Sequence, residues 1–110
     1  MAEVNIVDSE IILRRIRDQA DREDIRITQH AQQEMVEDEI NIDEVLETIA
    51  TGEILENYPE HKRGSCCLFS GVTHANRPIH IVCTTSQPIL IIITVYEPRP
   101  PKWITPNQRR

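Results

Sequence analysis

Four side chains in this sequence combine proton-transfer and cationic chemistry: His30, Arg77, His80 and Tyr96. RNA carries its own nucleophile. Cleaving it needs a base for the 2′-hydroxyl proton, an acid for the leaving oxygen and a cation for the charge on phosphorus. His30 or His80 could be base and acid, Arg77 the stabilising cation, and Tyr96 a proton donor or a base-stacking platform. No metal is required for that chemistry. The plainer alternatives are a solvated strand histidine at position 80 and, at position 30, a histidine that bonds backbone and packs under a sheet.

A metal-dependent enzyme is a competing expectation. His30 and Glu34 stand four apart on one predicted helix face, and His80 could add a third ligand from a strand. Cys66, Cys67 and Cys83 are further candidate ligands. However, the sequence has no Cys-x-x-Cys pair and no His-Glu-x-x-His helix. Gly52, Gly64 and Gly71 are isolated, so no phosphate-cradling loop is present, and no serine nucleophile elbow appears. No resident cofactor or metal is expected.

The elements that must carry these residues divide the chain in two. A first helix is expected over 9–21, capped by Asp8 or Ser9, with Ile12, Ile16 and Ala20 on one face. Residues 25–28 alternate like a short strand or form the entry to the next helix. That helix should span 29–38 behind the N-cap Thr28, placing His30 in its first turn, where the helix dipole favours a neutral imidazole. A third helix starts from a capping box of Asn41 and Glu44, buries Val45, Leu46 and Ile49, and stops at Gly52. From Glu53 the period changes to two. Strands are expected over 54–58, 66–72, 78–84 and 89–96, and the short turns between them imply antiparallel neighbours. The prediction is an α+β fold: N-terminal helices packed on a four-stranded, mainly antiparallel sheet.

Strand parity then groups the side chains. Ile79, Ile81 and Cys83 face one way, and His80 and Val82 the other. Ile89, Ile91, Ile93 and Val95 share a face, leaving Leu90, Ile92, Thr94 and Tyr96 opposite. If the apolar set meets the helices, His80, Thr94 and Tyr96 lie on an open sheet surface, with Arg77 in reach. Leu90 and Ile92 on that surface would favour a different role, a non-catalytic interaction module whose aliphatic face is buried by a partner or a second copy. The tail 98–110 holds four prolines. It should be extended, with Trp103 as an anchor.

Composition bounds the rest. At 110 residues and 39% hydrophobic, the chain fits one domain, made of an N-terminal helical extension (1–24), a core (25–97) and the Pro-rich tail. No segment is apolar enough to span a membrane. The start, Met1-Ala2-Glu3-Val4-Asn5, has no signal-peptide pattern, and three cysteines form no disulfide framework, so a cytoplasmic setting is expected. The net charge of −6 is uneven: residues 1–56 carry five arginines against sixteen acids, and residues 57–110 seven basic residues against two acids. A polyanion would meet the second half, Lys62 and Arg63 of its charged turn included.

Five ordered segments carry a family resemblance. They are Thr28-Gln29-His30-Ala31, Ile40-Asn41-Ile42-Asp43-Glu44-Val45, Gly52-Glu53-Ile54-Leu55-Glu56-Asn57-Tyr58, Arg77-Pro78-Ile79-His80-Ile81-Val82 and Ile93-Thr94-Val95-Tyr96-Glu97-Pro98. Together, over about residues 26–98, they resemble the domain-of-unknown-function family 4258. The resemblance implies a fold similar to the RNA-cleaving toxins related to RelE, and a small zinc-finger antitoxin as partner. It maps His30, Arg77, His80 and Tyr96 onto the family's recurrent polar positions. One departure is visible: the family pattern is His-Ala-x-x-Arg-Met, whereas here Glu34 precedes Met35, and Asp38 and Glu39 follow where a second arginine is usual.

Overall fold

The computed structural model describes residues 6–60 and 64–109. Three helices come first: α1 (Ile6–Asp21), α2 (Gln29–Glu37) and α3 (Ile42–Thr51). A short strand β1 (Ile25–Ile27) lies between α1 and α2. After α3 come β2 (Glu53–Tyr58), β3 (Cys66–Val72), β4 (Pro78–Thr84), β5 (Leu90–Tyr96), β6 (Trp103–Thr105) and β7 (Gln108–Arg109).

The sheet has five strands, not four, in the order β1-β5-β4-β3-β2. Residues 25–27 do form a strand, and it pairs parallel to β5 through Ile25–Leu90 and Ile27–Ile92. The other pairings are antiparallel, as short turns require. The β3–β4 turn depends on Asn76 in the left-handed region (φ 64°) and on Thr73, whose hydroxyl accepts from the Arg77 N–H. The proline-rich tail is not merely extended. It folds into a separate two-stranded hairpin, β6–β7.

Local chemistry sets the helix ends. The Thr28 hydroxyl caps α2 by accepting from Ala31 N–H, and it donates to the carbonyl of Ile93. Asn41 and Glu44 form the expected capping box of α3. Helix α1 begins at Ile6, ahead of the expected start. No Gly or Pro interrupts residues 5–9, so Asp8 and Ser9 fall inside the helix and do not cap it. Gly52 ends α3 with φ −83°, so it is not there for left-handed backbone. A Cβ at Gly52 would stand 2.5 Å from the Phe69 ring, and one at Gly71 would stand 2.7 Å from the Thr48 carbonyl. The two glycines let the end of α3 lie directly on β3.

The helices cover one sheet face. Ile16, Ala31, Val45 and Ile49 pack with Cys67, Phe69, Ile79, Ile81, Cys83, Leu90, Ile92 and Val95. Leu90 and Ile92 are therefore core residues and not an exposed patch. Strict parity fails at a bulge. Val82 pairs with Thr94 and Cys83 with Ile92, so Ile93 is an extra residue. That residue lets Ile92 and Val95 both face the helices while Thr94 and Tyr96 face away. All three cysteines are free and buried, and the Cys67 and Cys83 sulfurs lie 4.0 Å apart on the core face. No helix among the described residues is long and apolar enough to cross a membrane.

Candidate functional site

The sheet face away from the helices carries His80 on β4 and Tyr96 directly opposite it on β5. Glu56 and Tyr58 stand two apart on β2, across from Leu68 and Cys66. This face is not open. The hairpin lies over it, and His80 is 0% exposed. Trp103, at 2% exposure, meets the imidazole edge-on with ring centres 4.4 Å apart, and Tyr96 does so from another side at 5.2 Å. His80 is thus a strand histidine, but a buried one and not the solvated one expected.

The hydrogen bonds fix the state of the imidazole. Nε2 lies 2.5 Å from the Pro106 carbonyl, which can only accept, so Nε2 carries the proton. In the neutral ring Nδ1 then holds the lone pair, 3.1 Å from the Tyr96 hydroxyl that donates to it. Burial pushes the His80 pKa below its ordinary value, and nearby Arg109 pushes the same way against the Pro106 bond. The ring is a neutral acceptor–donor bridge. Burial raises the Tyr96 pKa, so its hydroxyl keeps its proton.

Arg109 closes the cluster. Its guanidinium stacks 4.7 Å from the Trp103 ring centre and makes a two-pronged pair with Glu56 at 2.7 and 2.8 Å. Tyr58 accepts from Arg109 at 3.3 Å and donates to Glu56. The Arg109 hydrogen bond holds the Glu56 carboxyl down at about 2, while burial and the Glu56 bond push the Tyr58 phenol up to about 12. A fourth tie runs from the Ser70 hydroxyl to the Asn107 side-chain oxygen at 2.7 Å. The Trp103 indole N–H is buried, and it acts on the Tyr96 hydroxyl, whose pKa it lowers against the effect of burial.

The other predicted residues lie elsewhere. Arg77 does not reach His80. Its side chain, 23% exposed, pairs with Glu44 and Glu97 at 3.2 Å each and donates to the carbonyls of Glu39 and Asp38. The end of α2 offers unpaired carbonyls, and Arg77 fastens that turn to the sheet. Burial alone would lower its pKa, but the bonds to Glu44 and Glu97 outweigh this and raise it. His30 is not packed under the sheet. Its side chain is 66% exposed and lies 3.2 Å from Glu34. Thr94 lies on the outer face opposite Val82, one row from His80. Lys62 and Arg63 lie outside the described residues. Among the described residues no group of three or more His, Cys, Asp or Glu side chains is placed to hold a metal ion, so His30, Glu34 and His80 are not assembled as ligands.

The acidic residues Glu34 and Asp38 have a structural role. β1 covers β5 only as far as Ile92, which leaves backbone donors beyond it on that side. Glu34 accepts from Val95 N–H and Asp38 from Glu97 N–H, both at 3.0 Å. Carboxylates four apart on the helix thus meet donors two apart on the strand. Burial raises the Glu34 pKa, with the Val95 bond opposing it.

Sequence reasoning missed Glu56, Tyr58 and Arg109. Period-two spacing puts Glu56 and Tyr58 on one face, so that half was readable. Nothing in the tail's composition announces a hairpin that returns Arg109 to β2.

No curated protein and no solved structure matches the chain. The family described as a domain of unknown function (DUF4258) matches residues 27–97, a span that includes His30, Arg77, His80 and Tyr96 and ends before the hairpin. That span is well over half of the 110 residues, and the chain belongs to the DUF4258 family.

Proposed function

We propose that this protein is a toxin-like, metal-independent endoribonuclease whose working groups are His80, Tyr96 and Arg109. One observation carries the reading: the His80 imidazole has its Nδ1 lone pair on the Tyr96 hydroxyl and its Nε2 proton on the Pro106 carbonyl. Such a ring can take a proton at one nitrogen and give one from the other. In the reaction the 2′-oxygen attacks phosphorus as its proton passes through the Tyr96 hydroxyl to Nδ1. The bond to the 5′-oxygen breaks, and that oxygen takes the Nε2 proton. The products are a 2′,3′-cyclic phosphate and a free 5′-hydroxyl, with the imidazole left as its other tautomer. Arg109, and not Arg77, is the guanidinium beside these groups and would stabilise the phosphorane. This reading includes kinship in fold with the RelE-related toxins, a zinc-finger antitoxin as partner and a cytoplasmic setting.

A specific observation favours the second reading, a non-catalytic interaction module: His80 has no exposed surface and Arg77 is spent on structural contacts. Expression of wild type and His80→Ala without any partner separates the two. Wild type should slow growth and leave RNA with cyclic-phosphate ends, and His80→Ala should do neither. Equal growth and intact RNA in both would sink the ribonuclease reading.

A further inference from the structure

His80, Tyr96, Glu56 and Arg109 already have partners within the candidate site, and the tail supplies several of them. Pro106 gives His80 Nε2 a carbonyl oxygen, Trp103 gives the imidazole an aromatic neighbour, and Glu56 gives Arg109 a carboxylate. Those are the three kinds of contact that a nucleotide also offers: a phosphoryl oxygen, a base and a two-pronged anion.

The tail hairpin stands apart from the ladder of the main sheet. The β6–β7 hairpin pairs with no strand of the five-stranded sheet. Its hydrogen bonds to that sheet run through the Pro106 carbonyl, Asn107 and Arg109. Releasing the hairpin would therefore cost the main sheet none of its ladder.

We propose that residues 103–109 form an autoinhibitory strap hinged where Arg99 pairs with Asp38 and Glu97, and that single-stranded RNA displaces it by exchange: a phosphate replaces Glu56 on Arg109 and the Pro106 carbonyl on His80, while a base takes the place of Trp103. This rests on the ribonuclease reading and adds its regulation. Glu56 is the internal competitor of the RNA. It holds Arg109 closed and adds a negative charge where a polyanion must approach.

Two substitutions open the strap and keep Arg109: Glu56→Gln and Asn107→Ala. His80 exposure is read by carbethoxylation and peptide mass, with exposed His30 and His74 as internal references. Trp103, the one tryptophan of the chain, reports the strap by fluorescence. An uncleavable 2′-O-methyl single-stranded RNA is the titrant. His80 should be protected in wild type and modified at least about tenfold faster in both variants. The RNA should shift Trp103 emission saturably, at about tenfold lower concentration for Glu56→Gln than for wild type, and cleavage of ordinary RNA should rise in that variant. Unchanged His80 reactivity in both variants would overturn the strap. Reactive His80 with RNA neither bound nor cut would overturn the ribonuclease reading and the exchange, leaving only a cover. Reactive His80 with slower cleavage would refute inhibition by the tail.

Discussion

Arg77 and Arg109 are both guanidinium groups paired with glutamates across distant parts of the chain, yet their surroundings differ. Arg77 is held from several sides, by Glu44, by Glu97 and by two backbone carbonyls at the end of α2. Its partners lie on α3, just past the end of α2 and just past the end of β5. Arg109, 40% exposed, is held by the neighbouring side chains Glu56 and Tyr58 and by the Trp103 ring of its own hairpin. Removing Arg77 leaves those acceptors on the helix side of the fold without their donor. Removing Arg109 loosens one hairpin. The cation that a catalytic reading of the sequence favours is thus the one most committed to structure. The cation at the site comes from a tail that lies beyond the matched family span.

That contrast can be broken or sharpened by measurement. Arg77→Ala should have the largest effect, a loss of about 3 kcal/mol in urea unfolding, because it leaves two carboxylates and two carbonyls without their donor. A loss below that of Arg109→Ala would erase the distinction. Gly71→Ala should cost about 1–3 kcal/mol, since its Cβ meets the Thr48 carbonyl at 2.7 Å. This substitution loosens the helix side and should leave Trp103 emission where it is. Arg109→Ala should cost only about 1 kcal/mol. Its signature is a red-shifted Trp103 emission at temperatures where the core remains folded.

The smaller effects follow pH. His80 sits below its ordinary 6.5, so its contribution to stability is complete above that value and is lost as pH falls from 6.5 toward the folded-state value. Glu56 behaves separately. Its stabilisation is present above about 4.5 and fades as pH falls toward about 2. Acid titration of Trp103 emission should therefore show two steps in wild type and lose the upper one in His80→Ala. At the alkaline end, ultraviolet titration should place Tyr58 near 12, and Arg109→Ala should move it.

Much of this architecture was legible because local chemistry agreed with the tertiary result. Thr28, Asn41 and Glu44 cap as their types and spacing require, and 66–72 and 78–84 keep the bounds that their alternation marks. Parity along β4 put His80 beside Tyr96, and the structure keeps them together. The failures have physical causes. One inserted residue, Ile93, reverses the facing of Leu90 and Ile92, and no sequence pattern shows such a bulge in an all-apolar run. Arg77 was drawn to α2 by carbonyls whose position depends on tertiary packing. The hairpin depends on contacts from Pro106, Asn107 and Arg109 to residues many positions earlier, which local propensity does not encode.

The carboxylates of Glu34 and Asp38 have one more consequence. An uncovered stretch of strand edge is a template on which another chain can add a strand, and natural proteins commonly blunt such edges. Here the two acids occupy the Val95 and Glu97 donors themselves. An arginine at position 34 has no acceptor to offer and would leave the Val95 N–H available. The two carboxylates therefore close that stretch of β5 to edge-to-edge association.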